Sequence, residues 1–327
     1  MLFSLTLMMS ITLSISSMSW FTAWVGLEMN LMSIMPLMKN FKNKFSSEAT
    51  IKYFITQAIA SMILLFSILI MSSMKTFSLY SEMQSSILSM SALFMKMGAA
   101  PLHFWLPQVV SGLTWNITTT ILTLQKMAPM ILVSYMKLLN SFTMMVILLS
   151  ASISGMLGLN QTCLRKIMAF SSINNVGWML SALMLSNSLW MMYFIIYSFI
   201  TMSITLPFNS NKMMFITQLT KFKPNKTKLL LMMNFLSLGG IPPFTGFMPK
   251  WMTIHYLSSN MFYMTVMMIM LTLITLYMYI RLMLPSAIFT SNSSMNLKTI
   301  KINNTSIIMS MVSLLMLPML LISNKLI

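Results

Sequence analysis

The chain has 327 residues, 57% of them hydrophobic and 7% charged, with a mean hydropathy of +0.82. Soluble domains carry about 25% charged residues, so an ordinary soluble domain is excluded and an all-α polytopic membrane protein is indicated. The net charge of +17 sits mostly on lysines in short connections between apolar runs, where positive charge orients helices. No basic stripe interleaved with aromatics points to nucleic acid.

The usage is skewed in a way that physics does not require. There are 45 methionines, and only Arg165 and Arg281 among the 20 Lys+Arg residues are arginine. This bias fits an AT-rich genome that reads AUA as Met, as many animal mitochondria do. The first charge is Glu28, so neither an Arg-rich presequence nor a basic n-region is expected. The single Cys163 gives no disulfide or metal framework. With only His103 and His255 as further ligands, a haem or iron–sulfur site is not expected.

A spanning helix needs about 20 mostly apolar residues. In chain order the predicted spans are 1–17, 20–39 with Glu28 midway, 50–73, 82–110 with Lys96, 114–139 with Lys126, and 142–160. They continue with 165–185, which carries Ser171, Ser172, Asn174 and Asn175, then 188–208, 229–257 with Lys250 and His255, 260–284 and 304–323. The count predicts eleven helices in a single transmembrane domain, 1–327. The fourth and ninth spans are too long to be straight. One holds Gly98-Ala-Ala-Pro101 and the other Gly239-Gly-Ile-Pro-Pro243, and such breaks persist at membrane depth only where protein or water re-satisfies the backbone. Two broken helices five apart run in opposite directions, the sign of an inverted-repeat, antiporter-like fold. The halves are expected over 1–139 and 142–284, with a C-terminal helix at 304–323.

Sorting the loop cations by side gives a lopsided result. Lys39, Lys42, Lys44, Lys52, Arg165, Lys166, Lys212, Lys221, Lys223, Lys226, Lys228, Arg281, Lys298 and Lys301 fall on one side; Lys75, Lys137 and Lys325 fall on the other. The rich side is expected to face the matrix. The N-terminus then starts in the matrix and the C-terminus ends in the intermembrane space.

Glu28, Lys96, Lys126 and Lys250 remain inside spans. A charge at a helix centre costs about 2.5–3.5 kcal/mol on insertion scales, so four of them imply proton or ion movement. Burial disfavours the ammonium form, and a nearby carboxylate favours it. A Glu28–Lys96 pair whose separation varies is therefore a proton switch; a static ion pair between helices is the structural alternative. Snorkelling to the headgroups is the alternative for the lysines, most of all for Lys250, nearer its span's end. His103 either passes protons between Lys96 and Lys126 or lines a cavity and bonds freed backbone. His255 reads as interfacial. The Ser and Asn cluster at 171–175 could hold water, although interhelical hydrogen bonding is the commoner role.

At these residues a resemblance becomes specific. Trp24-Val-Gly-Leu-Glu28-Met-Asn, Ser47-Glu-Ala-Thr-Ile-Lys-Tyr-Phe54, Lys96-Met-Gly-Ala-Ala-Pro-Leu-His-Phe-Trp105, Leu124-Gln-Lys-Met-Ala-Pro129, Leu164-Arg-Lys-Ile-Met-Ala-Phe-Ser-Ser172 and Gly239-Gly-Ile-Pro-Pro-Phe-Thr-Gly-Phe-Met-Pro-Lys-Trp251 occur in order. Together they resemble the subunit 2 family of mitochondrial NADH dehydrogenase (ubiquinone), complex I, in its arthropod form. The resemblance implies an antiporter-like membrane-arm subunit, shortened at the N-terminus to eleven helices. It implies that Glu28 pairs with the broken-helix lysine Lys96. Lys126 would be the linking lysine, and Lys250 the lysine of the second broken helix, toward the proton exit. It implies no cofactor in this chain, with flavin, iron–sulfur clusters and quinone handled by other subunits. The implied partners are other membrane-arm subunits, including subunits 4 and 4L, accessory subunits and lipids such as cardiolipin.

The sequence departs from the family where Asn175 stands at the usual histidine, and Gln108 is uncharged where wider antiporter relatives carry an acid. The function expected is proton translocation coupled to NADH:ubiquinone oxidoreduction. A stand-alone cation/proton antiporter and a structural subunit with vestigial charges are the competing readings.

Overall fold

Apolar runs punctuated by Ser, Asn, Gly and Pro give helices with well-marked ends. The computed structural model describes residues 2–40, 43–73, 79–136, 140–220, 226–288 and 311. Among them the regular structure is helical, apart from one isolated β-bridge. The chain divides into two units, Met1–Val146 and Ile147–Ile327.

Unit 1 begins with α1 (Leu2–Ile15) and α2 (Trp20–Met38). Ser19 starts α2 through a reciprocal capping box: Thr22 N–H donates to Ser19 Oγ at 3.2 Å, and Ser19 N–H donates to Thr22 Oγ1 at 3.3 Å. Next comes α3 (Lys44–Ser73), which starts earlier than the expected span at 50. A Glu48–Lys52 ion pair of 2.6 Å, one turn apart, supports this solvated extension. The unit continues with α4 (Leu79–Met97), α5 (Trp105–Gly112), α6 (Trp115–Leu122), α7 (Leu124–Ser134) and the start of α8 (Asn140–Leu159). α2 packs on α1 and α3, α3 on α4 and α5, and α7 on α1, α4 and α6.

The expected span 114–139 is present as Trp115–Ser134. It carries an interruption that the sequence reading did not include, between α6 and α7 at Thr123, whose φ is −116° and ψ −77°. Neither Gly nor Pro stands at that residue. Pro129, inside α7, cannot supply the N–H that residue 125's carbonyl would otherwise accept.

Unit 2 holds α9 (Leu164–Leu183), α10 (Asn187–Ser210), a short α11 (Ile216–Thr220), α12 (Lys226–Gly239), α13 (Phe247–Asn260) and α14 (Phe262–Ile288). Every residue from Ile167 to Leu183 is buried, so the polar groups of α9 face protein on all sides, which a surface helix could not provide. Leu164 N–H donates to Met214 O at 2.8 Å and Ile216 N–H to Thr162 O at 3.2 Å, framing the Cys163–Phe215 bridge. The Arg281 guanidinium donates to Leu159 O. The connections before α9 and after α10 thus meet at one end of unit 2, and Arg281 of α14 joins the first of them.

Five stretches among the described residues are long and apolar enough to cross a bilayer: Lys44–Ser72, Trp115–Ser134, Asn140–Leu159, Asn187–Ser210 and Phe262–Leu284. Exposed Ile55, Ile59, Met62, Phe66 and Leu69 recur every three or four residues on α3, as do Tyr263, Met267, Met270, Leu273 and Tyr277 on α14. Stripes of this size on a soluble protein would be sticky patches; here they are the outward faces of two candidate spans. The helix expected at 304–323 lies outside the described residues, apart from Met311, as do Lys75, Lys137 and Lys325.

Candidate functional site

Both expected helix breaks form, and both are built the same way. At the end of α4, Gly98 takes φ +74°; its N–H donates to Met95 O at 3.2 Å, and Ala99 N–H donates to Phe94 O at 3.0 Å. At the end of α12, Gly240 takes φ +83°; its N–H donates to Ser237 O at 3.0 Å, and Ile241 N–H donates to Leu236 O at 3.4 Å. This paired bonding around a left-handed glycine is the Schellman motif. The peptide between Ala100 and Pro101 is cis, and Trp105 Nε1 donates to Met95 O at 3.0 Å, adding a side-chain donor to the first break.

The two breaks differ in where the lysine sits. Lys96 belongs to the last turn of α4 itself and is 7% exposed. It lines a cavity of about 10 Å³ with Leu27, Asn30, Tyr53, Gln57 and Gln125, roughly the space for one water molecule. Lys250 belongs to α13 and reaches back. Its Nζ donates to Leu238 O at 3.1 Å and to Gly239 O at 3.0 Å, two carbonyls that α12 leaves open where it ends. A cation is favoured at a helix C-terminus by the aligned peptide dipoles. With 6% exposure, Lys250 is buried against the break and is not extended toward a headgroup.

Glu28 is half-buried on α2. Glu28 and Lys96 do not form a direct ion pair. Lys126, 1% exposed, lies in the first turn of α7, directly after the Thr123 interruption, and its N–H donates to Thr123 O at 3.1 Å. His103 is buried, with Nδ1 3.2 Å from Pro101 O and its ring 4.5 Å from that of Phe104. Its hydrogen-bond partner is therefore the break rather than Lys96 or Lys126. His255 is exposed and stacks on Trp251 at 6.1 Å.

Sequence reasoning passed over Asn30, Tyr53, Gln57 and Gln125. Asn30 and Gln125 form a buried, reciprocal amide pair: Asn30 Nδ2 donates to Gln125 Oε1 at 2.9 Å, and Gln125 Nε2 donates to Asn30 Oδ1 at 2.8 Å. Tyr53 Oη donates to the same Gln125 oxygen at 3.4 Å. Buried Gln57 Nε2, in the same cavity wall, has no partner. The signal was present, because each is a polar residue in an apolar segment.

In unit 2 a second cavity of about 10 Å³ is lined by Asn175, Tyr193, Tyr197, Ser237 and Lys250, among others. Tyr193 Oη donates to Asn175 Oδ1 at 3.0 Å, and Asn175 Nδ2 donates to Ser171 O at 2.9 Å. One donor and one acceptor position of this amide are thus held by fixed protein partners. Asn174 Nδ2 meets Thr275 Oγ1 at 3.4 Å, a bond between helices α9 and α14. No three His, Cys, Asp or Glu side chains come together as metal ligands among the described residues.

Residues 17–276 match the family described as NADH:quinone oxidoreductase/Mrp antiporter, transmembrane. NADH-ubiquinone oxidoreductase chain 2 of Anopheles gambiae is 46% identical over 320 residues, covering 96% of this chain and 92% of that one. The chain belongs to the NADH-ubiquinone oxidoreductase chain 2 family. Chain 2 of Locusta migratoria is 41% identical, covering 96% of this chain and 93% of its own; that of Loxodonta africana is 37% identical, covering 95% and 92%. Among solved structures, a chain of respiratory complex I from Thermus thermophilus superposes with a TM-score of 0.85 at 19% identity, covering 97% of this chain and 79% of that one. A chain of the Mrp complex from a Dietzia species gives 0.78 at 15% identity, with coverage of 91% and 62%. These likenesses establish an antiporter-like fold for the chain 2 family member described here.

Proposed function

We propose that this chain is a core membrane-arm subunit of mitochondrial respiratory complex I and moves protons across the inner membrane as NADH reduces ubiquinone. Membership of the chain 2 family makes it a subunit of an NADH:ubiquinone oxidoreductase. The observation that carries the proton reading is that each unit sets a buried lysine at a helix break, Lys96 at the end of α4 and Lys250 on the carbonyls of α12. Intramembrane ionisable groups at broken helices are where carriers bind ions and protons.

Glu28, Lys96, Lys126 and Lys250 are the proposed proton-bearing groups. His103 is a possible relay, although its Nδ1 faces Pro101 O. Asn175 and Gln108 carry no proton. In the same reading the helices form eleven spans with paired inverted halves, the N-terminus lies in the matrix and the C-terminus in the intermembrane space. Flavin, iron–sulfur clusters and quinone belong to other subunits. Subunits 4 and 4L, accessory subunits and lipids such as cardiolipin are the neighbours.

A stand-alone cation/proton antiporter would share the fold, as the Mrp likeness shows. The near-complete coverage of chain 2 relatives favours the complex I reading. The test is to follow proton uptake and NADH:ubiquinone turnover together in sealed vesicles holding the assembled enzyme with Lys126→Met. Turnover that continues with unchanged protons per NADH sinks the assignment of Lys126; isolation of the chain outside a large assembly sinks the complex I reading.

A further inference from the structure

Asn30 and Gln125 lie 95 residues apart and meet through two short hydrogen bonds, each amide donating to the other. Their neighbours in sequence are the charges of the site. Asn30 follows Glu28 by two positions on α2, and Gln125 immediately precedes Lys126 on α7. Both amides also wall the small cavity that Lys96 lines. The pair thus shares a cavity wall with Lys96, and ties the helix of Glu28 to the helix of Lys126, although neither of those two side chains lines that cavity.

We propose that the Asn30–Gln125 pair is a positioning clamp, holding Lys126 in register with Glu28 and Lys96 so that proton transfer among them depends on both hydrogen bonds. This rests on the proton-translocation reading above. An amide has no titratable proton near neutral pH, so its contribution is geometry and not carriage.

The start of α7 needs such a device. The helix begins just after Thr123 leaves helical geometry, and Lys126 N–H reaches Thr123 O at 3.1 Å by an i→i−3 bond rather than the regular i→i−4 ladder. Pro129 deprives the carbonyl of Gln125 of its helical donor. Backbone bonding therefore holds this turn more loosely than a mid-helix turn, and it is the turn that bears Lys126. α7 packs on α1, α4 and α6; the amide pair ties it to α2 as well. Tyr53 adds a third hydrogen bond, from α3 to the Gln125 oxygen. Three helices thus converge on one side-chain oxygen.

Gln125→Asn tests the clamp because it keeps the amide and shortens its reach by one methylene. The double variant Asn30→Gln/Gln125→Asn restores the combined reach. In the assembled enzyme in sealed vesicles, protons moved per NADH oxidised, counted per assembled complex, and the pH profile of turnover are read together. Gln125→Asn is expected to lower the ratio several-fold and to shift the profile, Asn30→Ser to reproduce the change from the other side, and the swap to restore both. A ratio and profile equal to the unmodified enzyme in Gln125→Asn overturn the clamp, as does a swap that restores nothing. Lys126→Met separates the two levels. If it leaves pumping intact, the proton reading fails; if it abolishes pumping while Gln125→Asn is normal, the clamp alone fails.

Discussion

Lys250 Nζ sits 3.0 Å from the carbonyl oxygen of Gly239, the last residue of a helix on which Lys250 itself does not lie. The lysine proposed as a proton carrier is therefore also the cap of the break. Those two roles respond differently to substitution.

Lys250→Met removes both. Each of the carbonyls of Leu238 and Gly239 loses its donor, at a cost of about 1–3 kcal/mol per buried unsatisfied group. The expected result is earlier thermal inactivation of the complex together with loss of proton pumping. Lys250→Arg keeps N–H donors for the cap but stays protonated at any physiological pH. It is expected to recover thermal resistance and not pumping. Normal proton-to-NADH ratios in Lys250→Arg would assign the residue to capping only.

Glu28→Gln and Lys96→Met each remove a charge and little packing surface. Both are expected to lower proton-coupled turnover while leaving the amount of assembled complex unchanged, as quantified by native electrophoresis and vesicle assays. The absence of a direct ion pair between them makes a static clasp a poor account of why both are present. Loss of assembly in both variants with normal specific activity would restore that account.

Gly98→Ala and Gly240→Ala are expected to lower stability by about 1–2 kcal/mol each from the left-handed backbone alone. Each change also adds a clash: a Cβ at Gly98 comes within 2.7 Å of Leu106 Cδ1, and one at Gly240 within 2.8 Å of Lys250 Cδ. Only the second meets a proposed proton carrier, so Gly240→Ala should disturb the cap as well as the turn, and lose more activity per assembled complex than Gly98→Ala. Equal loss in the two variants would argue against coupling between Gly240 and Lys250.

Cys163 is the only cysteine of the chain and is half-buried beside Phe215. In the proposed orientation, with the cation-rich connections toward the matrix, a membrane-impermeant maleimide should modify Cys163 only after the inner membrane is opened, as read by mass spectrometry of the tryptic peptide. Labelling of intact mitoplasts at the same rate would invert the proposed orientation.

Both helix breaks were legible because Gly followed shortly by Pro inside an apolar run has few other outcomes. The Thr123 break was not, since a threonine alone does not announce one; in the fold its Oγ1 donates to Thr119 O at 2.7 Å, the local back-bonding that bends helices. The burial of Lys96, Lys126 and Lys250 could be read from their depth in apolar segments. Where Lys250 points could not be read, because its acceptors belong to a helix that ends before its own begins. The Asn30–Gln125 pair was hidden for the same reason: an amide's partner across 95 residues leaves no periodicity to follow. The buried α9 was recognised as a span despite its serines and asparagines, whose bonds to Tyr193 and Thr275 only the folded chain displays.

The enclosure of α9 also sets how this sequence can drift. In a genome that reads AUA as methionine, a third-position change exchanges Met for Ile. At Met267 or Met270, on the outer stripe of α14, no side chain of this protein is packed closely enough to resist the new shape. At Met168 or Met179, inside α9, the same exchange swaps a flexible side chain for a branched one among packed neighbours that must absorb the misfit. Mutational pressure will therefore be recorded on the outward stripes and filtered out of α9, so that over time the outside of the protein keeps the history of its genome and the inside keeps its work.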